Sequence, residues 1–266
     1  MLTRLEKLIF AMYKIASVYG RGPRILLWFR MILTVMQPRL PRAMRSAQRL
    51  DLALDGKSFS IWMADRTGLA AFEEVFMRGE YSVPDIPTPR TVIDAGANIG
   101  VASIYFCVRY PDARVYAIEP DRDVCTVLRK NLSAYPNASV HECALSDIDG
   151  TIDFHIHPTS SIASSLRSRV LGEKVVSVQS KKLDTFMKDE KLPSVDLLKF
   201  DIEGAEDRML LSIRNLRVVH NYVGEIHPDL MSARTEEISS LFSDFKVAMN
   251  PLGEKRFLLS ALSKDN

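Results

Sequence analysis

The chain reads as a doubly wound α/β protein, and three observations carry that expectation. Short β-branched or apolar runs alternate with helix-length amphipathic segments through the middle of the sequence, the pattern of a mostly parallel sheet covered on both faces. The first such run ends in an acid and a glycine-rich turn, Thr91-Val-Ile-Asp-Ala-Gly-Ala-Asn-Ile-Gly100, ahead of a helical stretch. The second, Tyr116-Ala-Ile-Glu-Pro120, sets an acid at a strand tip 23 residues after Gly96. The expected architecture is a Rossmann-like sheet with an antiparallel C-terminal edge hairpin and an N-terminal helical extension.

Length and composition bound this reading. A chain of 266 residues has room for one α/β domain and an extension, and 47% hydrophobic with 26% charged residues is ordinary for a globular protein. The three cysteines, Cys107, Cys125 and Cys143, show no metal-type spacing and lie in apolar or helical surroundings. They read as buried free thiols in a reducing, cytoplasmic setting. The net charge of +2 conceals an asymmetry: residues 1–50 hold ten Lys/Arg and one acid, Glu6, for +9, so the remainder carries −7. No nucleic-acid partner is expected. Two units follow, a basic helical extension over 1–50 and a domain over 51–266, with 51–90 as lead-in and 91–230 as the cofactor-binding core.

The elements follow in order. Leu2, Leu5, Leu8, Ile9, Met12, Ile15, Ala16 and Tyr19 recur at helical spacing, and Gly20 with Gly22-Pro23 ends that helix. A second apolar run over 25–36 is too short and too charged to span a bilayer, and Pro38 and Pro41 close it. The extension reads first as a helical cap on the domain or on a second subunit. The alternative is a basic amphipathic arm, residues 1–45, making peripheral contact with an anionic membrane. Residues 51–62 read as a hairpin turning at Asp55-Gly56, and 67–78 as a helix. Strands are expected over 114–119, 139–144, 151–157, 175–179, 195–200 and 218–226, with helices over 99–110, 121–134, 183–188, 206–213 and 234–242. Two last strands, 246–249 and 256–259, flank Asn250-Pro-Leu-Gly253.

The first turn points to a cofactor class. A dinucleotide fingerprint is G-x-G-x-x-G, shaped for a diphosphate at a helix N-terminus. Here the pattern is Asp94-x-Gly96-x-Asn98-x-Gly100, which opens on an acid and has Asn98 where the second glycine would stand. An anion there suits a cationic or amine-bearing ligand better than a diphosphate. S-adenosylmethionine, with a sulfonium, an ammonium and a ribose, meets that demand, and Glu119 is placed to bind the ribose hydroxyls. A dehydrogenase is the less favoured reading because the second glycine is missing.

Four segments occur in order: Val92-Ile-Asp-Ala-Gly-Ala-Asn-Ile-Gly100, Ile118-Glu-Pro120, Asp196-Leu-Leu-Lys-Phe-Asp-Ile-Glu-Gly-Ala-Glu206 and Glu225-Ile-His-Pro228. Together they resemble the FkbM-like family of S-adenosylmethionine-dependent methyltransferases over roughly residues 65–230. The run from Asp196 to Glu206 is the most specific of the four. The resemblance implies O-methylation of a hydroxyl on a sugar, glycan or secondary metabolite. By resemblance and position, Asp94, Gly96, Asn98 and Gly100 line the methionine end, and Glu142, Cys143 and Ala144 flank the adenine. The rival of another class is a non-catalytic nucleotide-binding or membrane-associated scaffold on the same fold.

Three side chains are candidate proton acceptors: Asp201 at the end of one strand, and Glu225 and His227 at the end of the next, with two-residue spacing that puts both on one face. They could instead hold a divalent cation, but the motif does not require one, and a metal-independent reaction is expected. Glu203 and Glu206 read as supports of the following helix, with Lys199 pairing one of them. His155 and His157 read as surface histidines. The loop 158–172 offers Arg167 and Arg169 as forked donors to a hydroxylated or anionic acceptor.

Overall fold

Two helices lead the chain into a seven-stranded sheet, and the computed structural model describes residues 4–36, 47–63, 65–156, 174–253 and 255–264. Helix α1 (Arg4–Lys14) continues into a π-helical turn (Ile15–Tyr19), and α2 (Arg24–Met36) follows the Gly22-Pro23 break. Strands β1 (Gln48–Leu54) and β2 (Lys57–Met63) form an antiparallel hairpin. Its Asp55-Gly56 turn has φ of 48° and 79°, the left-handed pair that matches strand twist in a two-residue hairpin. Asp65 caps α3 (Arg66–Phe72) by accepting from the Thr67 amide at 2.8 Å, and a π-helical turn (Glu73–Met77) extends it.

The remaining elements run in the expected alternation: β3 (Thr91–Ala95), α4 (Val101–Arg109), β4 (Arg114–Ile118), α5 (Arg122–Leu132), β5 (Ala138–His141), β6 (Ala144–Leu145), β7 (Gly150–Ile156), β8 (Lys174–Lys181), α6 (Leu183–Asp189), β9 (Leu197–Phe200), α7 (Glu206–Ser212), β10 (Asn221–Ile226), α8 (Thr235–Leu241), β11 (Phe245–Pro251) and β12 (Phe257–Ser263). The main sheet has the order β11-β12-β10-β9-β3-β4-β5. Its five central and edge strands β10, β9, β3, β4 and β5 are parallel, whereas β12 runs antiparallel to β10 and to β11. Winding goes outward from β3 to β5 and then restarts from β9 toward β10, so the topological switch point lies between β3 and β9.

Period-two alternation assigns the two faces. Val92, Val115, Leu197 and Val223 face one core, shared with α3, α4, α5 and the β1–β2 hairpin. Ile93, Tyr116, Leu198 and Tyr222 face the other, against α6, α7 and α8. The strand expected over 139–144 is shorter than its pattern suggests. Its ladder stops at Ile118↔His141 because β4 ends there, and Ala144–Leu145 turns away to pair with β8 in a second sheet of order β6-β8-β7. The 158–172 loop, with Arg167 and Arg169, lies outside the described residues, as do His157, Pro38 and Pro41.

The N-terminal helices share the first core. Met12, Ile15, Ala16, Leu27 and Met31 are buried with Leu50, Leu52 and Phe72. Tyr19 joins the two parts: its hydroxyl donates to the Phe76 carbonyl at 2.7 Å, and its ring meets Phe72 edge-on at 5.3 Å. Phe72 in turn stacks on Phe76 at 4.4 Å. Among the described residues no helix is long and apolar enough to cross a membrane. All three cysteines are buried and free.

Phe72 is wholly buried and touches both the N-terminal helices and the domain. Phe72→Ala is expected to lower the unfolding free energy by about 3–5 kcal/mol, the range for emptying an aromatic core site, as measured by urea denaturation.

Candidate active site

The carboxyl ends of β3, β4 and β9 open onto a cleft with about 1040 Å³ of space not filled by atoms. That is the crevice where open α/β sheets gather ligands. Gly96, Asn98, Glu119, Lys199 and Asp201 line it from the sheet edge, and Ala71, Glu74 and Val75 from α3 and its extension. Leu145 and Phe154 reach it from the second sheet, and Arg256 from the C-terminal hairpin.

The glycine turn folds over the end of β4, because the amides of Gly96 and Ala97 both donate to the Ile118 carbonyl, at 3.0 and 2.9 Å. Gly96 has φ of 73°, and a Cβ there would collide with the Asp201 carbonyl oxygen, so this position admits no side chain. Asn98 has φ of 50° and accepts from the Ile99 amide at 2.6 Å; asparagine tolerates this left-handed geometry, which accounts for its place in the turn.

Glu119 stands at the tip of β4. One of its oxygens accepts from the Asn98 amide at 3.0 Å and the other from the Asp121 amide at 2.9 Å. Burial pushes its pKa up to about 7 against the pull of those two bonds. Each oxygen keeps a further lone pair, which suits a diol donating two hydroxyl protons. Beside it, Ile118, Cys143, Ala144 and Leu145 make an apolar wall fit to flank a planar base. Burial raises the Cys143 thiol to about 11, so it sits there as a neutral group.

Asp94 corrects one expectation. It is fully buried and absent from the cleft wall; Lys199 Nζ lies 2.9 Å from its Oδ1, and Ser103 Oγ donates to its Oδ2 at 2.6 Å. A buried carboxylate needs an internal counter-charge, and Lys199 supplies it. The same lysine donates to the Gly96 carbonyl at 2.9 Å, so it pairs with Asp94 rather than with Glu203 or Glu206. Burial works against charge on Lys199, yet Asp94, Asp201 and Glu225 together outweigh it and the lysine pKa is raised. Gly100 also stands behind the cleft, where a Cβ would press on Leu128. Glu142 turns outward to accept from Arg129 at 2.7 Å, outside the cleft.

The three candidate proton acceptors do come together, with one ligand atom of each within 4.8 Å of the others. They differ in access. Asp201 lines the cleft, and its Oδ1 is buried without a hydrogen-bond partner. Glu225 and His227 are 1% and 3% exposed and stand behind the wall. Glu225 accepts from Arg256 Nη1 at 2.8 Å and from the Tyr81 hydroxyl at 3.2 Å; that hydroxyl also lies 3.5 Å from Asp201 Oδ2. Burial and Asp201 push Glu225 up to about 8, against Arg256 and His227.

His227 Nδ1 meets Glu206 Oε1 at 2.9 Å, and Nε2 lies 3.5 Å from Glu203 and 3.7 Å from Glu225. Burial disfavours its charge, but Glu206 and the surrounding carboxylates prevail and its pKa rises to about 9. It is an imidazolium at neutral pH, a poor proton acceptor. The donor set would suit a divalent cation.

Tyr81, Glu74 and Arg256 escaped the sequence reading. Tyr81 and Glu74 lie in the lead-in, where only their position before the glycine turn marks them. Arg256 has no local signal, since the antiparallel hairpin carries it 31 residues along the chain to reach Glu225.

Residues 94–245 match the profile of the methyltransferase FkbM domain. The chain is 28% identical over 188 residues to methyltransferase sdnD of Sordaria araneosa, covering 58% of this chain and 73% of that protein. It is 27% identical over 146 residues to the 2-O-methyltransferase NoeI of Sinorhizobium fredii, covering 48% and 59%. It is likewise 27% identical over 157 residues to the hexuronic acid methyltransferase AglP of Haloferax volcanii, covering 58% and 62%.

Lys199→Met strands the buried Asp94 carboxylate and is expected to lower stability by about 3–5 kcal/mol in urea denaturation. Asp94→Asn added to it should recover part of that loss, which a double-mutant cycle will read.

Proposed function

The chain belongs to the methyltransferase FkbM domain family, and from that premise we propose that it methylates a hydroxyl group of a sugar, glycan or secondary-metabolite acceptor, with Asp201 taking the proton. It is an S-adenosylmethionine-dependent methyltransferase, and the residues fit that cofactor: a side-chain-free approach at Gly96, a diol acceptor at Glu119 and an apolar wall at Cys143 and Ala144. Family membership sets aside the dehydrogenase reading. The hydroxyl acceptor draws support from the name of one relative, a 2-O-methyltransferase, and the sugar class from another, a hexuronic acid methyltransferase.

The observation that carries the reading is the unpartnered, buried Oδ1 of Asp201 in the same cleft as Glu119. When bound, S-adenosylmethionine supplies a methyl group activated on a sulfonium. The chain's part is alignment and proton removal. Glu119 holds the ribose hydroxyls, and the Gly96 turn lets the backbone approach. Asp201 Oδ1 accepts the acceptor's hydroxyl proton as the new carbon–oxygen bond forms. The Tyr81 hydroxyl, 3.5 Å from Asp201 Oδ2 and donating to Glu225 at 3.2 Å, links Asp201 to the Glu225–Arg256 pair. The His227 imidazolium offsets the Glu203 and Glu206 carboxylates beside it. The scheme is written without a metal, with Arg256 contributing positive charge 2.8 Å from Glu225.

Calorimetry is expected to show S-adenosylhomocysteine binding and no NAD binding, and Glu119→Ala should weaken the former by about tenfold or more, the loss of charge-assisted hydrogen bonds. An unchanged affinity removes Glu119 from the ribose site. Asp201→Asn should lower kcat by about 10²- to 10⁴-fold while leaving cofactor affinity intact; full turnover would move the proton acceptor elsewhere. Turnover is expected to survive EDTA, whereas a loss restored by magnesium would assign Asp201, Glu225 and His227 to a cation.

A further inference from the structure

We infer that the outward face of α1 and α2 is a docking surface for an anionic lipid bilayer, lying in the interface without crossing it. This inference is independent of the acceptor and of the assignment of Asp201.

The first observation is where exposed apolar surface accumulates. Of the thirteen large hydrophobic side chains exposed among the described residues, nine lie between residues 9 and 36. The other four, Ile148, Val175, Leu211 and Val247, are scattered over the domain, as is normal for any surface.

Helix α2 is the clearest case. Its inward stripe, Leu27, Met31 and Thr34, is buried on the domain at helical spacing. Its outward stripe, Ile25, Phe29, Ile32 and Met36, has the same spacing and is equally apolar, yet Ile25 is 82% exposed and Phe29 58%. A helix at a protein surface is ordinarily polar on its outer side, and one that is apolar all round is ordinarily covered all round. Phe10 and Tyr13 extend the exposed surface onto α1.

The second observation is the charge that borders this surface. Lys14, Arg21 and Arg24 are exposed, with Lys14 Nζ 4.9 Å from the Phe10 ring centre. From Lys7 to Leu50 the sequence contains no Asp or Glu. Arg30 is the exception in orientation, turned inward to the Asp51 carboxylate at 3.3 Å. Glu6 in the first turn of α1 is the one acid of residues 1–50, so the apolar side chains are bordered by a large excess of cations, which complements an acyl layer beneath anionic headgroups. A second copy of the chain fits worse, since a two-fold contact through this face sets one positive rim against another.

Length settles the mode of contact. Helices of 11 and 13 residues are too short to span a hydrocarbon core, so they lie flat with their inner stripes on the domain. Tyr19 ties them to the 72–76 segment, whose Glu74 and Val75 line the cleft, so the docking face and the cleft share one helical wall.

The test is co-sedimentation of the full chain with vesicles of phosphatidylglycerol and phosphatidylcholine, against phosphatidylcholine alone. Binding is expected only to the anionic vesicles, weakening as salt is raised. Ile25→Asp with Phe29→Asp should cut partitioning by about tenfold or more, and so should Arg21→Glu with Arg24→Glu. Wild-type affinity of both variants for S-adenosylhomocysteine identifies the loss as one of docking and not of folding. The inference is overturned if the wild-type chain stays in solution with anionic vesicles, or if both variants bind them as wild type does. It is also overturned if sedimentation velocity shows a dimer that Ile25→Asp with Phe29→Asp dissolves, which would make the occupant a second copy.

Discussion

The ion pair between Asp94 and Lys199 organises the rest of this molecule. It joins the two strands on either side of the switch point, where the register sets Asp94 against Lys199. From there Lys199 reaches the Gly96 carbonyl, and Ser103 brings α4 onto the same carboxylate. One lysine thereby holds strand, glycine turn, helix and neighbouring strand in a single arrangement. A buried pair adds little net stability compared with well-packed apolar residues, but it penalises alternatives heavily. A slip of one residue would set Leu198 or Phe200 against Asp94 and leave an uncompensated charge in the sheet.

The cleft inherits its character from this seam. On the β4 side, main-chain amides satisfy Glu119, and apolar walls complete a pocket for a nucleoside. On the β9 and β10 side the chamber is rich in carboxylates: Glu74, Asp201, Glu203, Glu206 and Glu225. Burial and mutual repulsion raise Glu74 as well as Glu225. Such a cluster persists only with internal cations, and they come from three places: Lys199 on β9, His227 after β10 and Arg256 beside β12. The antiparallel edge of the sheet is therefore more than a cover for the last parallel strand. It carries the guanidinium that holds Glu225, whose other oxygen accepts from the Tyr81 hydroxyl beside Asp201.

The N-terminal helices pack on the same core. Their inner stripes complete the packing around Phe72, while Ile25, Phe29 and Ile32 on the outer side of α2 are exposed among the described residues. The packing of Met12, Ile15, Ala16, Leu27 and Met31 makes these helices a cap on the domain.

Most elements were legible because their causes are local. A β-branched run followed by glycine marks β3, the Asp55-Gly56 pair turns the hairpin, and Glu119 announces itself by standing at a strand tip at nucleotide-site spacing. Even the buried state of the thiols followed from their apolar neighbours. Other features depend on partners far along the chain. Nothing beside Asp94 reveals that its counter-ion is Lys199, that Glu142 faces outward, or that Tyr81 meets a carboxylate 144 residues away. Sequence periodicity prescribes which residues seek burial, since that preference belongs to each side chain. Which charges meet is a matter of strand order and register, and these exist only once the sheet has formed.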